Sequence, residues 1–138
     1  MKMRHLLMTA PALLLAAGGV SAQTYPSKTV RFIVPYTPGG AADILARAVG
    51  AKLTEAWGQS VVVENRAGAG TNLGSEIAAK SPPDGYVLFM PTIANAINPT
   101  LYPKLNYDPV KDLVPVGTVA EFAFSFAVGT NPKVNAHA

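Results

Sequence analysis

Apolar side chains fall into short blocks separated by glycine- and proline-rich breaks, and the spacing within each block distinguishes strand from helix. Thr29-Val-Arg-Phe-Ile-Val34 is a nearly continuous β-branched and apolar run closed by Pro35, as a strand buried on both faces requires. After the loop Tyr36 to Ala42, the positions Ile44, Leu45, Ala48, Val49, Leu53 and Trp57 recur at helical spacing until Gly58. They predict an amphipathic helix of about 14 residues. Val61 to Val63 reads as a second strand, Arg66 to Thr71 as a glycine-rich turn, and Asn72 to Lys80 as a second helix broken by Ser81-Pro-Pro-Asp-Gly85. Tyr86 to Met90 is a third strand, followed by a loop from Pro91 to Pro99 and one helical turn up to Tyr102. Asp108-Pro109 has the pattern of an N-cap followed by a first-turn proline. Two more strands are expected at Val114 to Ala120 and Phe122 to Val128, the latter with Phe122, Phe124 and Phe126 on one core-facing side.

Alternation of strand, loop and helix predicts an α/β fold with a parallel sheet and right-handed crossovers. In such a sheet the strand-to-helix loops leave from one edge, where ligands bind, so three loops are expected to converge. The first, Tyr36, Thr37, Pro38, Gly39, Gly40, Ala41, Ala42 and Asp43, joins glycines that admit close backbone approach to a helix N-terminus with free N–H groups. That suits a carboxylate, although Asp43 also fits a purely structural place in the helix's first turn. The second, Ala67, Gly68, Ala69, Gly70, Thr71 and Asn72, repeats the arrangement with a hydroxyl and an amide at the helix start. Half of a dinucleotide fingerprint is the competing reading, but Gly74 falls one residue late for G-x-G-x-x-G and no P-loop lysine follows. The third supplies Thr92, Ala94 and Asn95, which also fit an asparagine-rich turn.

The N-terminus changes the setting of this domain. Lys2 and Arg4 precede an apolar stretch from Leu6 to Val20, and Val20 and Ala22 are small at the positions a signal peptidase reads. Residues 1–22 are therefore expected to be a secretory signal, cut between Ala22 and Gln23. A membrane anchor is the alternative, disfavoured by the short run and by Pro11 and Gly18-Gly19. The chain has 11 Lys and Arg against 8 Asp and Glu, and two of the 11 lie in this segment, so the remainder is nearly balanced. No basic cluster is interleaved with aromatics, which argues against nucleic-acid binding. Absence of cysteine excludes disulfides, thiolate chemistry and a lipid-modified N-terminus. The two histidines, His5 and His137, lie at the chain's ends, and no nucleophile elbow, carboxylate pair or metal-ligand cluster is apparent. Binding without catalysis or a cofactor is the expectation.

The stretches Tyr25 to Asp43, Val62-Val-Glu-Asn-Arg-Ala-Gly-Ala-Gly70, Pro83-Asp-Gly-Tyr-Val-Leu88, Ala96-Ile-Asn-Pro99, and Leu101 to Leu113 occur in an order that resembles the substrate-binding proteins of tripartite tricarboxylate transporters, the Bug family. Thr71 stands where that family often continues with glycine, and Pro91-Thr-Ile where it has a more glycine-rich turn. The resemblance implies a two-lobed periplasmic-binding-protein fold (type II, Venus flytrap). It would close on a small organic carboxylate and deliver it to a large and a small integral membrane subunit. It further implies contacts through Tyr36 to Asp43, Ala67 to Asn72 and Thr92 to Asn95, largely by backbone amides and bridging waters. Residues 23–128 would then be the N-terminal part of the first lobe and 129–138 the start of a crossover, with the sequence truncated before the second lobe. A monomeric, non-lipidated periplasmic protein is expected, marginally folded as this chain alone because a sheet edge and an apolar face would be exposed. An exported α/β enzyme holding an anionic substrate or cofactor in the same loops, and a nonfunctional truncated product, are the rival readings.

Overall fold

The structure is a computed structural model and describes residues 24–123. Its elements are β1 (Val30–Val34), α1 (Ala41–Trp57), β2 (Val61–Asn65), a 3₁₀ turn (Ala69–Thr71), α2 (Asn72–Ala79), β3 (Val87–Phe89) and α3 (Ile93–Leu101). The three strands form one parallel sheet in the order β2-β1-β3, the α/β arrangement that the sequence pattern predicts. β1 lies in the middle, with Val30 opposite Val61 and Phe32 opposite both Val63 and Leu88. Burial on both faces explains why its sequence is continuously apolar instead of alternating: Val30, Phe32, Ile33 and Val34 are all buried.

Phe32 and Val34 project to the face covered by α1, where they form a core with Ala46 and Met90, flanked by Leu45 and Val49. Ile33 has the opposite parity and is fully buried on the other face. Because the chain moves from β1 outward to β2 and then back past β1 to β3, right-handed crossovers put α1 and α2 on opposite faces. The loops after β1 and β3 consequently lead toward opposite faces from the carboxyl ends of these two neighbouring strands. α1 has 17 residues, starting at Ala41, and ends where Gly58 turns left-handed (φ 66°) with its N–H donating to Thr54 O at 3.0 Å.

The opposite end of the sheet is fastened by the segment before β1. The Tyr25 hydroxyl donates to Gly85 O at 2.6 Å, and its ring meets Trp57 and Tyr86 edge to face at centroid distances of 5.9 and 5.2 Å. Ser27 N–H donates to the Tyr86 hydroxyl at 2.9 Å, and the Lys28 ammonium lies 4.2 Å from the centre of the same ring.

Two expectations are corrected. The stretch from Pro91 to Pro99 is not a loop ending in one helical turn: Ile93–Leu101 is a nine-residue helix with Pro99 inside it. The Nδ2 groups of Asn95 and Asn98 donate to a neighbouring segment, and Asn95 Oδ1 accepts from Thr92 N–H as part of a helix-opening capping box, so these residues do not form the turn that they favour in isolation. Pro99 removes one intrahelical bond close to the end, where Tyr102 N–H still reaches Asn98 O at 2.9 Å. The second correction concerns Val114 to Ala120, which carries no strand, and Val114 and Val116 are 84% and 92% exposed. A β-branched run forms a strand only when another strand pairs with it, and none among the described residues does. Phe122 is also exposed; residues 124–128 of the expected Phe122 to Val128 strand, the expected signal segment 1–22 and the expected crossover 129–138 lie outside the described residues. Asp108 does cap a single turn, accepting from Val110 and Lys111 N–H at 3.0 and 3.1 Å.

Candidate functional site

Loop 1 leaves β1 at Pro35 and enters α1 through Gly39 and Gly40. Gly39 has φ 87°, a conformation that glycine adopts without strain. Gly40 occupies the N-cap position, and no side chain caps the helix there, so the leading N–H groups of α1 stay open. Thr37, Pro38, Gly39 and Gly40 are all exposed on this crest.

Asp43 faces the other way and is only 3% exposed. One carboxylate oxygen accepts from Gly39 N–H at 2.9 Å and Arg47 Nε at 3.0 Å; the other accepts from Asn65 Nδ2 at 2.9 Å and lies 3.0 Å from Arg47 Nη2. Asn65 Nδ2 also donates to Tyr36 O at 3.1 Å, joining the end of β2 to loop 1. Asp43 thus holds the loop from beneath, as its structural reading allows. Arg47 foremost, then the Gly39 N–H and Asn65, hold its pKa down at about 2. Glu64 is likewise lowered to about 2, chiefly by Arg31, whose Nε lies 2.6 Å away. Both folded-state values lie below the ordinary carboxylate range, so this stability is present above about pH 4 and is lost as the pH falls toward 2. The urea midpoint is expected to fall over that interval. Asp43→Asn should lower the midpoint at pH 7 and flatten the fall, and an unchanged pH profile would contradict the role given to Asp43.

Loop 2 has an unusual backbone: Ala69, Gly70 and Thr71 are successively left-handed, with φ of 48°, 60° and 81°. Positive φ is strained for alanine and more so for β-branched threonine. α3 supplies the restraint. Asn98 Nδ2 reaches Gly70 O at 2.7 Å, Asn72 Oδ1 at 2.8 Å and Thr71 Oγ1 at 3.1 Å. Asn95 Nδ2 donates to Ser75 Oγ at 2.6 Å and reaches Thr71 Oγ1 at 3.4 Å, while the Ser75 hydroxyl donates to Thr71 O at 2.9 Å. The Tyr107 hydroxyl donates to Asn72 Oδ1 at 3.0 Å. Among the described residues, no buried side-chain nitrogen or oxygen lacks a partner.

Loop 3 closes the set. Thr92 N–H donates to Asn95 Oδ1 at 2.8 Å at the start of α3, and Thr92 Oγ1 shares a 2.7 Å hydrogen bond with the Tyr36 hydroxyl of loop 1. The three loops therefore meet, as the parallel topology predicts. Ala67, Gly68, Ala69 and Gly70 are exposed on the crest beside loop 1; Asn72, Thr92 and Ala94 are half-buried; Asp43, Thr71 and Asn95 are buried supports. Sequence reasoning did not single out Asn65, Ser75, Asn98 or Tyr107. Their only signal was position: Asn65, Asn98 and Tyr107 fall within the quoted motifs, but nothing local shows which way their side chains point.

The described residues hold no group of three or more His, Cys, Asp and Glu able to bind a metal, and none of their helices is long and apolar enough to cross a membrane. Asp43, the acid nearest the crest, is fully hydrogen-bonded and ionised, far from the near-neutral pKa of an effective general base. The arrangement offers backbone N–H groups, hydroxyls and amides around an open surface.

Comparison with known proteins gives consistent relatives. Protein BugT of Bordetella pertussis is 40% identical over 139 aligned residues, covering 97% of this chain and 42% of that protein. A UPF0065 protein from Agrobacterium vitis is 38% identical, covering 88% of this chain and 35% of its own length. The chain thus spans well under half the length of these relatives. Among solved structures, MatC from Rhodopseudomonas palustris with bound malate superposes with a TM-score of 0.60 at 36% identity, over 64% of this chain and 30% of that one. A second R. palustris protein, solved with adipate, gives 0.59 at 39% identity over 62% and 29%. The periplasmic binding protein BugD gives 0.61 at 34% identity over 64% and 29%. The profile described as tripartite tricarboxylate transporter family receptor matches residues 45–136, two-thirds of the sequence, and the chain belongs to that family.

Proposed function

We propose that this chain supplies one wall of a carboxylate site in a periplasmic solute receptor. In this reading residues 1–22 are removed on export, residues 23–128 form the N-terminal part of the first lobe, and 129–138 begin the crossover to a second. The captured solute is a small organic carboxylate, passed by a monomeric receptor to a large and a small integral membrane subunit, without catalysis or a cofactor. Malate and adipate, the ligands of the two R. palustris neighbours, belong to this class.

The observation that carries the reading is the uncapped N-terminus of α1 opening beside Gly39 and Gly40 on the exposed crest. An anion there gains from free N–H groups and from the helix dipole. The expected contacts are Thr37 to Gly40 from loop 1, Ala67 to Gly70 from loop 2, and Thr92 and Ala94 from loop 3. Tyr36, Asp43, Thr71, Asn72 and Asn95 shape the surface from behind.

Gly40→Asp is a sharp test. A Cβ at Gly40 has room, its nearest neighbour being Thr37 O at 3.9 Å, and an aspartate at the N-cap supplies the missing cap while occupying the anion's place. Thermal stability should hold or rise by about 1 kcal/mol, whereas stabilisation by malate or adipate should disappear. Turnover of either acid, or equal stabilisation by chloride at matched ionic strength, would refute the receptor reading.

A further inference from the structure

The glycine-rich loop holds a shape that its own sequence opposes. Glycine would accept a φ of 81°, yet position 71 carries threonine, whose branched side chain resists it. The hydroxyl that comes with this strain is buried and lies within reach of both Asn95 and Asn98. Asn98 is 3% exposed, and its Nδ2 is surrounded by three acceptors, Gly70 O, Thr71 Oγ1 and Asn72 Oδ1, all on loop 2 or the start of α2. None of these partners belongs to α3 itself. Tyr102, just past the end of α3, sets its hydroxyl against Gly70, where a Cβ would collide with it. The element that follows loop 3 therefore grips loop 2 from behind, while its N-cap Thr92 is bonded to Tyr36 of loop 1.

We infer that Asn98 is a positioning residue: it holds Ala69-Gly70-Thr71 in the left-handed run that presents loop 2 at the crest, with the Thr71 hydroxyl as its catch. The inference rests on the carboxylate reading for its functional consequence, but the conformational claim stands on the geometry alone. Without the Asn98 amide, the Gly70 carbonyl loses its side-chain donor and the Thr71 hydroxyl its nearer amide, leaving the 3.4 Å Asn95 contact and the Ser75 bond to Thr71 O too little to offset the strain at Thr71, so the loop relaxes toward negative φ. A glycine at position 71 has no such strain and does not require the catch.

The test is a double-mutant cycle in the full chain, comparing wild type, Asn98→Ala, Thr71→Gly and the double variant. Strong intraresidue amide-to-Hα nuclear Overhauser effects report positive φ, read at Ala69 in every variant and at Thr71 where the threonine is kept, and titration with malate and adipate reports affinity. Asn98→Ala is expected to lose the positive-φ signature and weaken binding about tenfold. Thr71→Gly in that background should restore both, to within about threefold of wild type. A purely structural asparagine predicts instead additive losses and no rescue, and that result overturns the proposal; so does an Asn98→Ala chain that keeps its positive-φ signature. If Asn98→Ala does not fold, the comparison passes to Asn98→Ser, which is polar but too short to reach Gly70 O, and Thr71→Gly should again rescue it. If wild type binds neither acid, the carboxylate reading fails, and the loop spectra still decide the role of Asn98.

Discussion

Gly74→Val is expected to be among the most damaging single changes to this lobe. A Cβ at Gly74 would lie 2.9 Å from both Arg66 O and Pro35 Cβ, and 3.0 Å from Pro35 Cα. Two of these atoms are backbone and the third belongs to a rigid ring, so none can swing away. Even Gly74→Ala must push α2 off the end of β1 and off loop 2, at a cost of about 1–3 kcal/mol. Valine, with a second methyl and poorer helix propensity, should cost more and leave little cooperative unfolding. Urea titrations of the two variants check this, with Gly117→Ala, where a Cβ meets nothing within 4 Å, as the control that should be nearly silent. A Gly74→Ala midpoint equal to wild type would mean that the close approach is not a constraint. Gly74 shows that a glycine one residue out of register for a dinucleotide fingerprint can still serve one of its purposes, close contact between helix and strand.

Asn95→Leu should be the most disruptive change that keeps approximate volume near the loops. The leucine leaves Thr92 N–H without the oxygen that accepts it at 2.8 Å, and Ser75 Oγ without the amide at 2.6 Å. Each lost bond costs up to about 1–3 kcal/mol, less where Ser75 still donates to Thr71 O and where Thr92 is half-buried, so the total should rival that of a simple core truncation. Ser75→Ala in the same chain removes one of the stranded partners and should recover part of the loss, a non-additivity that chemical unfolding can measure. Strict additivity would show that the Asn95–Ser75 bond contributes little.

The parts of the fold visible in the sequence are those fixed by neighbours along the chain. β1 stands out because Pro35 ends an apolar run that needs burial on both faces, and α1 because its periodicity ends in a left-handed Gly58. α3 was not visible, since Asn95, Asn98 and Pro99 are turn formers locally, and their helix depends on bonds to Ser75, Gly70 and Thr71, at least 20 residues away. Val114 to Ala120 erred in the opposite direction: strand propensity was present and a pairing strand was not. For the candidate site, topology alone located the three loops, because parallel strands must release them at one edge. It could not show that Asp43, Thr71 and Asn95 turn inward while Thr37 to Gly40 face out, since that depends on partners contributed by β2 and α3.

The clasp around Tyr25 has a practical consequence for spectroscopy. Trp57 is the only tryptophan in the chain, and it sits at the last residue of α1, in edge contact with Tyr25. The helix has 17 residues and is about 25 Å long, so the indole lies a helix length from the crest at Gly40. Intrinsic emission from this lobe will therefore follow the undocking of its first residues and global unfolding. On the proposed reading, a carboxylate arriving at the far end will leave that emission unchanged, and an optical binding assay needs a fluorophore placed on the loops themselves.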